Sequence, residues 1–209
     1  MFTNHTTFNA IHRIDFQPET FTPQDLLWLP HHALLERSGK KRQTEHLAGR
    51  IAAVYALRTV GEKSVPGIGE NRAPLWPIGL YGSISHCGQT AIAIVSHRPV
   101  GIDIEEVMNV SLAESLAEQV ASGAELTNLR AAPVPFPLAL TLTFSAKESL
   151  YKALSARYPQ LLHFHDAVVT HIDAQNITLH IPTINLTAII VWYTVDHQRI
   201  VTLYQQPQI

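Results

Sequence analysis

The stretch around which the rest of this chain can be arranged is Phe144-Ser145-Ala146-Lys147-Glu148-Ser149-Leu150-Tyr151-Lys152. As a helix, it places Glu148 and Lys152 one turn apart on the same face. A second row at i, i+4 spacing lies on roughly the opposite face and should be buried: Ala146, Leu150 and Leu154. The pattern therefore predicts a carboxylate and an ammonium group held side by side on a rigid element.

Ordinary structural roles also explain these residues. Ser145-x-x-Glu148 fits a helix capping box, in which the glutamate accepts a hydrogen bond from a backbone N–H. Glu148 and Lys152 could equally form a simple i, i+4 ion pair on an exposed face. The choice between these interpretations depends on other parts of the chain.

The segment Val100 to Glu105 has the alternation of a β-strand, with Val100, Ile102 and Ile104 on one face. Asp103 and Glu105 project from the other face, about 7 Å apart at the backbone. Such a pair is common on any solvated strand. Together with Glu148, however, it supplies three hard oxygen donors of the kind that Mg²⁺ prefers. A lysine beside them would suit a reaction at a phosphate ester or anhydride.

Upstream, apolar residues recur at helical spacing from about Leu34 to Thr59. Arg50 lies near the border of the buried face and needs an acidic or phosphate partner. A loop rich in Gly and Pro follows from Gly61 to Gly82 and carries Arg72. A strand then ends at Ser85-His86, whose hydroxyl and imidazole could hold phosphate oxygens, although with 12 histidines in the chain a purely structural histidine is the alternative.

Strand-like segments are predicted at 81–87, 90–95 and 100–105, surface helices within 111–130, and further strands after Leu162. Each half of the chain then contains strands and one principal helix. We therefore expect an α+β fold of two similar α/β halves packed as a pseudo-dimer. Residues 1–209 should form a single compact unit with approximate halves 1–105 and 106–209.

Composition excludes several classes of protein. The hydrophobic content of 46% allows a sizeable core, and no apolar run is long enough to span a membrane. A single cysteine and an N-terminus without a secretory signal pattern favour the cytoplasm, with loose membrane association left open. The net charge of −2 argues against a nucleic-acid partner, although eight of the 15 basic residues lie between positions 37 and 72.

The motifs together resemble the 4′-phosphopantetheinyl transferases, and within them the larger, pseudo-dimeric surfactin/enterobactin-type group. The blocks that carry the resemblance fall in the family's order between positions 47 and 152: Leu47-Ala48-Gly49-Arg50-Ile51-Ala52-Ala53, Trp76-Pro77, Gly82-Ser83-Ile84-Ser85-His86-Cys87, Gly101-Ile102-Asp103-Ile104-Glu105 and the stretch from Phe144 to Lys152. Two departures occur. Many relatives have Trp in place of Phe144, and Gly-Lys-Pro in place of Arg72-Ala73-Pro74.

The resemblance implies transfer of the 4′-phosphopantetheine arm from coenzyme A to a serine of an apo acyl, peptidyl or aryl carrier protein, with release of adenosine 3′,5′-bisphosphate. It implies that Asp103, Glu105 and Glu148 bind Mg²⁺. It also implies that Lys152 stabilises the negative charge that develops on the leaving phosphate. Glu148 is also the favoured general base. Contacts to coenzyme A phosphates would come from four further residues: Arg50, Arg72, Ser85 and His86. The group implies a monomer that serves siderophore or other nonribosomal peptide or polyketide biosynthesis.

Two other functions fit part of the pattern. A metal-dependent nuclease also uses acids and a lysine, but usually two residues apart on a strand, whereas Glu148 and Lys152 are four apart in a helical pattern. A nuclease should also carry a broader basic surface. A non-catalytic nucleotide-binding module would need an incomplete site, but all three acids and Lys152 are present.

Overall fold

A computed structural model describes residues 1–69, 72–158, 163–196 and 198–208. The chain divides into two compact units, Met1–Pro99 and Val100–Ile209. The sequence placed the division after residue 105. The difference is one strand, Val100–Glu106, which pairs with the last strand of the chain and so belongs to the second unit.

The first unit is an antiparallel sheet covered by one long helix. Two hairpins form the sheet, with strand order β1-β2-β6-β5. Its elements are β1 (Thr3–Phe8), β2 (Ile11–Phe16), helix α1 (Lys40–Thr59), the short pair β3 (Gly67–Ile68) and β4 (Pro74–Leu75), β5 (Tyr81–Cys87) and β6 (Thr90–Ser96). Small side chains of α1, including Ala48, Ala52 and Ala56, pack on the sheet and form its core.

The helix α1 begins later than the apolar spacing indicates. Residues His32–Leu34 form a separate 3-10 turn, and Gly39 is the N-cap of α1. Leu34 itself is exposed, and the buried residue next to this turn is Leu35, which shares a small cluster with Leu47 of α1. Apolar periodicity reports which side chains are buried, and it does not resolve where one helical segment ends and the next begins.

The second unit is a five-stranded antiparallel sheet with three helices. The strand order is β7-β11-β10-β9-β8. Its elements are β7 (Val100–Glu106), α2 (Val110–Val120), α3 (Gly123–Arg130), α4 (Phe136–Leu154), β8 (Val168–Ile172), β9 (Asn176–Ile181), β10 (Leu186–Thr194) and β11 (Arg199–Gln205). The predicted apolar row of α4 is confirmed, since Ala146, Leu150 and Leu154 are buried in the core of this unit.

Helix α4 lies unusually close to β7. A Cβ atom added to Gly101 would lie 1.8 Å from the carbonyl oxygen of Ser149, so no larger residue fits without a shift of the backbone. This close approach brings the face of β7 that carries Asp103 against the side chains of α4. It is the fold feature that positions the candidate site.

The α+β class is confirmed by the two antiparallel sheets, each with a principal helix. The pseudo-dimer arrangement of the halves stays a prediction. Within the described part of the chain, no helix combines the length and apolar character that a membrane crossing requires.

Candidate active site

Asp103 occupies the centre of the candidate site, on β7 beneath α4. Its side chain is buried, with 3% of the residue surface exposed. One carboxylate oxygen, Oδ2, accepts a hydrogen bond of 2.9 Å from Ser145 Oγ, and Oδ1 lies 2.7 Å from Lys152 Nζ. The strand and the helix are therefore joined through this carboxylate.

Glu105 and Glu148 lie half-buried beside Asp103. Burial, followed by the charge of Asp103 and a smaller contribution from Glu148, raises the pKa of Glu105 to about 7 despite the opposing effect of Lys152. Burial also raises the pKa of Glu148; Lys152 opposes this shift and Asp103 adds to it. Mutual effects of this kind require the groups to be close together. The structure thus brings the three predicted acids and the lysine into one cluster.

Lys152 supplies the positive charge of this cluster, but it does not form the predicted pair with Glu148. Its Nζ donates to Asp103 Oδ1 and, at 3.1 Å, to the carbonyl oxygen of Ile102. The capping-box interpretation of Ser145 and Glu148 is wrong, because α4 begins at Phe136 and both residues lie within the helix. Ser145 instead uses its hydroxyl on Asp103.

The donor set suits Mg²⁺ in its chemistry, because carboxylate oxygens are the ligands that this hard cation selects. Two of the carboxylates also have raised pKa values, chiefly through burial and in smaller part through neighbouring negative charges, which a cation would offset. As arranged here, no group of three or more His, Cys, Asp or Glu side chains within the described ranges is placed to hold a metal ion. Asp103 is bound to Lys152 and Ser145 instead.

Sequence reasoning missed a set of buried hydroxyls behind Asp103. Ser145, Ser149 and Thr202 are each 0% exposed, and Thr202 Oγ1 lies within hydrogen-bond distance of both serine hydroxyls. The spacing of Ser145 and Ser149 on one helix face was a usable signal. The part played by Thr202 depends on strand register, which the sequence did not reveal.

Lys147 was also missed, and it forms a second ion pair deep in the core. Its Nζ lies 3.0 Å from Glu125 Oε1 and donates to the carbonyl oxygen of Val120 at 2.9 Å. The backbone N–H of Val169 donates to Glu125 Oε1 at 2.7 Å. Burial lowers the pKa of Lys147, against the effect of Glu125. These bonds tie α3, α4 and β8 together.

In the first unit, Arg50 finds its partners in backbone carbonyls. Its Nε donates to Pro66 O at 2.8 Å and its Nη2 to Gly67 O at 2.9 Å, with 5% of the residue exposed. Burial, aided by the charge of Arg42, lowers the pKa of Arg50 to about 10. Arg50 thus holds the loop at residues 66 and 67 against α1.

The other predicted phosphate contacts of the first unit differ in exposure. His86 is exposed at the end region of β5, with Nδ1 3.8 Å from Glu45 Oε1, whereas Ser85 is buried. Arg72 is exposed and has a left-handed backbone conformation with φ of 63°. A histidine pair near Arg50 was not predicted: His31 Nε2 lies 2.9 Å from His46 Nε2.

A pocket of about 210 Å³ adjoins the acid cluster within the second unit. Glu148 and Tyr151 contribute to its lining, and further along it is lined by Leu154, Phe164 and Ile181. Phe144, the residue that differs from many relatives, stacks on Phe164 with ring centroids 5.1 Å apart. The pocket therefore combines two carboxylates, Glu148 and Asp166, with apolar side chains on its wall.

Comparisons with known proteins match most of the chain to one family. Residues 30–96 match the 4′-phosphopantetheinyl transferase N-terminal domain, and residues 99–204 match the 4′-phosphopantetheinyl transferase superfamily. The chain is 53% identical to enterobactin synthase component D of Salmonella typhi, over 83% of this chain and 74% of that protein. The same component of Escherichia coli K12 is 55% identical, over 73% of this chain and 76% of its own length.

A more distant relative shows the same relationship. The 4′-phosphopantetheinyl transferase Npt of Nocardia iowensis is 36% identical over 71% of this chain and 68% of its own length. The superfamily match over residues 99–204 includes the cluster of Asp103, Glu105, Glu148 and Lys152. This protein belongs to the 4′-phosphopantetheinyl transferase superfamily.

Proposed function

We propose that this enzyme transfers the 4′-phosphopantetheine arm of coenzyme A to a serine of an apo carrier protein. The serine Oγ forms a bond to the phosphorus nearer the pantetheine, and the P–O bond to the bridging oxygen breaks. The serine proton passes to a base, and adenosine 3′,5′-bisphosphate leaves with the bond electrons. The observation that carries the proposal is the cluster of three acids and Lys152 at the close contact between β7 and α4.

Asp103, Glu105 and Glu148 would hold Mg²⁺ in this scheme. When bound, the ion supplies neutralisation of negative charge on the diphosphate of coenzyme A. The chemistry of the donor set supports the assignment, since Glu105 and Glu148 are half-buried and the negative charge of Asp103 adds to the burial that raises their pKa values. Lys152 adds a fixed positive charge for the leaving phosphate and lies within hydrogen-bond distance of Asp103.

Glu148 is the base that we assign to the carrier serine. Its carboxylate is half-buried beside the other acids, and proton transfer to a positioned side chain contributes typically about 10²–10⁴-fold to a rate. It also lines the adjoining pocket, where the apolar side chains of Leu154, Phe164 and Ile181 suit the flexible and largely uncharged pantetheine arm. One residue would thus lie beside both the arm and the incoming hydroxyl.

We propose that four residues of the first unit bind the phosphates of coenzyme A: Arg50, Arg72, Ser85 and His86. The exposure of Arg72 and His86 supports direct contact. Arg50 donates hydrogen bonds to the carbonyl oxygens of Pro66 and Gly67. Its positive charge would therefore attract a phosphate from behind the loop that these bonds hold in place. The resemblance to enterobactin synthase component D supports a carrier protein of siderophore biosynthesis as the acceptor. A monomeric state and a cytoplasmic location stay predictions.

The test is mass spectrometry of an apo carrier protein incubated with coenzyme A, Mg²⁺ and the enzyme. A mass gain of one phosphopantetheine group is expected with the wild type, and Glu148→Ala should reduce its rate by about 10²–10⁴-fold. A rate that is unchanged by chelation of divalent cations would remove the metal from the scheme. Unchanged turnover by Glu148→Ala would remove the assigned base.

A further inference from the structure

A chain of buried hydroxyl groups leads to Asp103 and has no role in the reaction as described so far. Ser145 Oγ donates to Asp103 Oδ2 at 2.9 Å, and Thr202 Oγ1 lies 2.9 Å from Ser145 Oγ. Ser149 Oγ lies 2.7 Å from Thr202 Oγ1 and 3.1 Å from the Thr202 carbonyl oxygen. All three hydroxyl-bearing residues are 0% exposed, so the chain is closed to bulk water.

Strand register and helix spacing assemble this chain. Thr202 on β11 is the direct cross-strand partner of Asp103 on β7, and directly opposite residues of an antiparallel pair project from the same face. Ser145 and Ser149 are one turn apart on α4, on the face that packs above these strands. The helix and two strands therefore each contribute to one continuous set of hydrogen bonds.

The proton positions give the chain a direction. An ionised carboxylate only accepts hydrogen bonds, so the proton of Ser145 must point toward Asp103. The oxygen of Ser145 can then accept from Thr202 Oγ1, and the single hydroxyl proton of Ser149 has two acceptors on Thr202, Oγ1 and the carbonyl oxygen. Successive bonds of this kind polarise one another in a buried environment and hold the carboxylate in one rotamer.

We propose that Ser145 and Thr202 are positioning residues of the transfer reaction. They fix Asp103 through Oδ2, so that its other oxygen stays directed toward Lys152 and the neighbouring acids, where the divalent cation would bind. This inference rests on the proposed function, because it concerns the residue assigned to the cation. Groups that orient a metal-binding carboxylate commonly change metal affinity or activity when they are removed.

The experiment measures binding of Mn²⁺, a substitute for Mg²⁺, by the EPR signal of the free ion in the presence of coenzyme A. Ser145→Ala and Thr202→Val should each weaken Mn²⁺ binding by about 10–100-fold and raise the Mg²⁺ concentration needed for half-maximal transfer. Thr202→Ser retains a hydroxyl and should restore binding close to that of the wild type. Ser149→Ala, one bond further from Asp103, should have a smaller effect.

Thr143→Val is the matched control. Thr143 lies on the same helix, is 0% exposed and donates its hydroxyl proton to the carbonyl oxygen of Ala139 at 2.8 Å. Its loss should lower the urea midpoint without changing Mn²⁺ affinity. Wild-type affinity in both Ser145→Ala and Thr202→Val, or equal weakening in Thr143→Val, would overturn the inference.

Two further outcomes are informative. If Thr202→Val does not fold, the comparison of Ser145→Ala with Thr202→Ser decides the question by the same measurement. If the wild type itself binds no Mn²⁺ with coenzyme A, the proposed metal role fails and this inference fails with it. A wild type that binds, with variants that bind equally well, rejects the positioning role alone.

Discussion

Helix α4 carries two lysine–carboxylate pairs, and their surroundings differ. The pair of Lys147 and Glu125 has 3% and 0% of its side-chain surfaces exposed. The pair of Lys152 and Asp103 has 26% and 4% exposed. The buried pair has its remaining polar atoms bound by backbone groups of Val120 and Val169, whereas two further acids crowd around the open pair.

The difference shows how one helix can hold both a closed ion pair and a more open one, to which we assign a role in the reaction. A buried pair is tolerated when additional hydrogen bonds satisfy both ions, as they do at Glu125. The open pair lies in an excess of negative charge that a cation could neutralise. Residue type alone does not separate these roles, because Lys147 and Lys152 belong to the same motif.

Among the variants that test this difference between the two ion pairs, Lys147→Met should have the largest effect. Removal of one partner leaves Glu125 as an uncompensated buried charge, so we expect a loss of about 3–5 kcal/mol in the free energy of unfolding, measured with urea. The double variant Glu125→Leu/Lys147→Met should recover most of this loss, since no buried charge remains. A double variant as unstable as the single one would contradict the coupling of the two residues.

Lys152→Met should show the opposite profile. Loss of a charge aimed at the leaving phosphate should lower kcat by about 10²–10³-fold. The free energy of unfolding should fall by less than in Lys147→Met, because Lys152 is partly open to water, although the buried Asp103 loses its ion pair. Steady-state transfer and urea unfolding, run on the same preparation, test both statements. A variant that loses stability but keeps kcat would make Lys152 a structural residue like Lys147.

The pair of His31 and His46 in the first unit is buried in part and has no proposed role in the reaction. It allows the effect of burial on stability to be tested by changing the pH. Burial, with the charge of Arg50, lowers the pKa of His46 to about 3. Between this value and the ordinary pKa of 6.5, the unfolded chain binds a proton that the folded chain does not, so stability is lost as pH falls below 6.5. Allowing for partial exposure, the loss between pH 7 and 5 is on the order of 1 kcal/mol.

Unfolding in urea at several pH values checks this expectation. His46→Gln should flatten the pH dependence, and the same substitution at the exposed His97 controls for loss of a histidine elsewhere. An unaltered slope in His46→Gln would show that the acid sensitivity of the fold arises from other groups.

The smallest effect concerns the exposed basic residues at the start of α1, Lys40, Lys41 and Arg42. If they attract an acidic carrier protein, reversal of their charges should raise the KM for the carrier several-fold at low salt and leave kcat unchanged. The effect should shrink as salt is added. A carrier KM that does not respond to the reversal would exclude this surface from carrier binding.

The sequence predicted the acids and Lys152 because local alternation and helical spacing determine which of these residues share a face. It also predicted the α+β class and most element positions. It did not predict that Lys152 bonds to Asp103 instead of Glu148, because that choice depends on how closely α4 packs on β7. The partners of Arg50 and the hydroxyl of Thr202 were missed for the same reason, since they depend on loop path and strand register.

The close contact at Gly101 limits which residues this position can accept during evolution. Because a backbone oxygen of α4 occupies the space of its absent side chain, the distance between the two motifs is set by main-chain contact. An alanine at this position would act as a wedge, separating Asp103 from Ser145 and Lys152 without altering any of them. The spacing of the proposed site thus depends on glycine, which has only a hydrogen atom in place of a side chain. A substitution at this residue, which takes no part in the chemistry, could inactivate the enzyme.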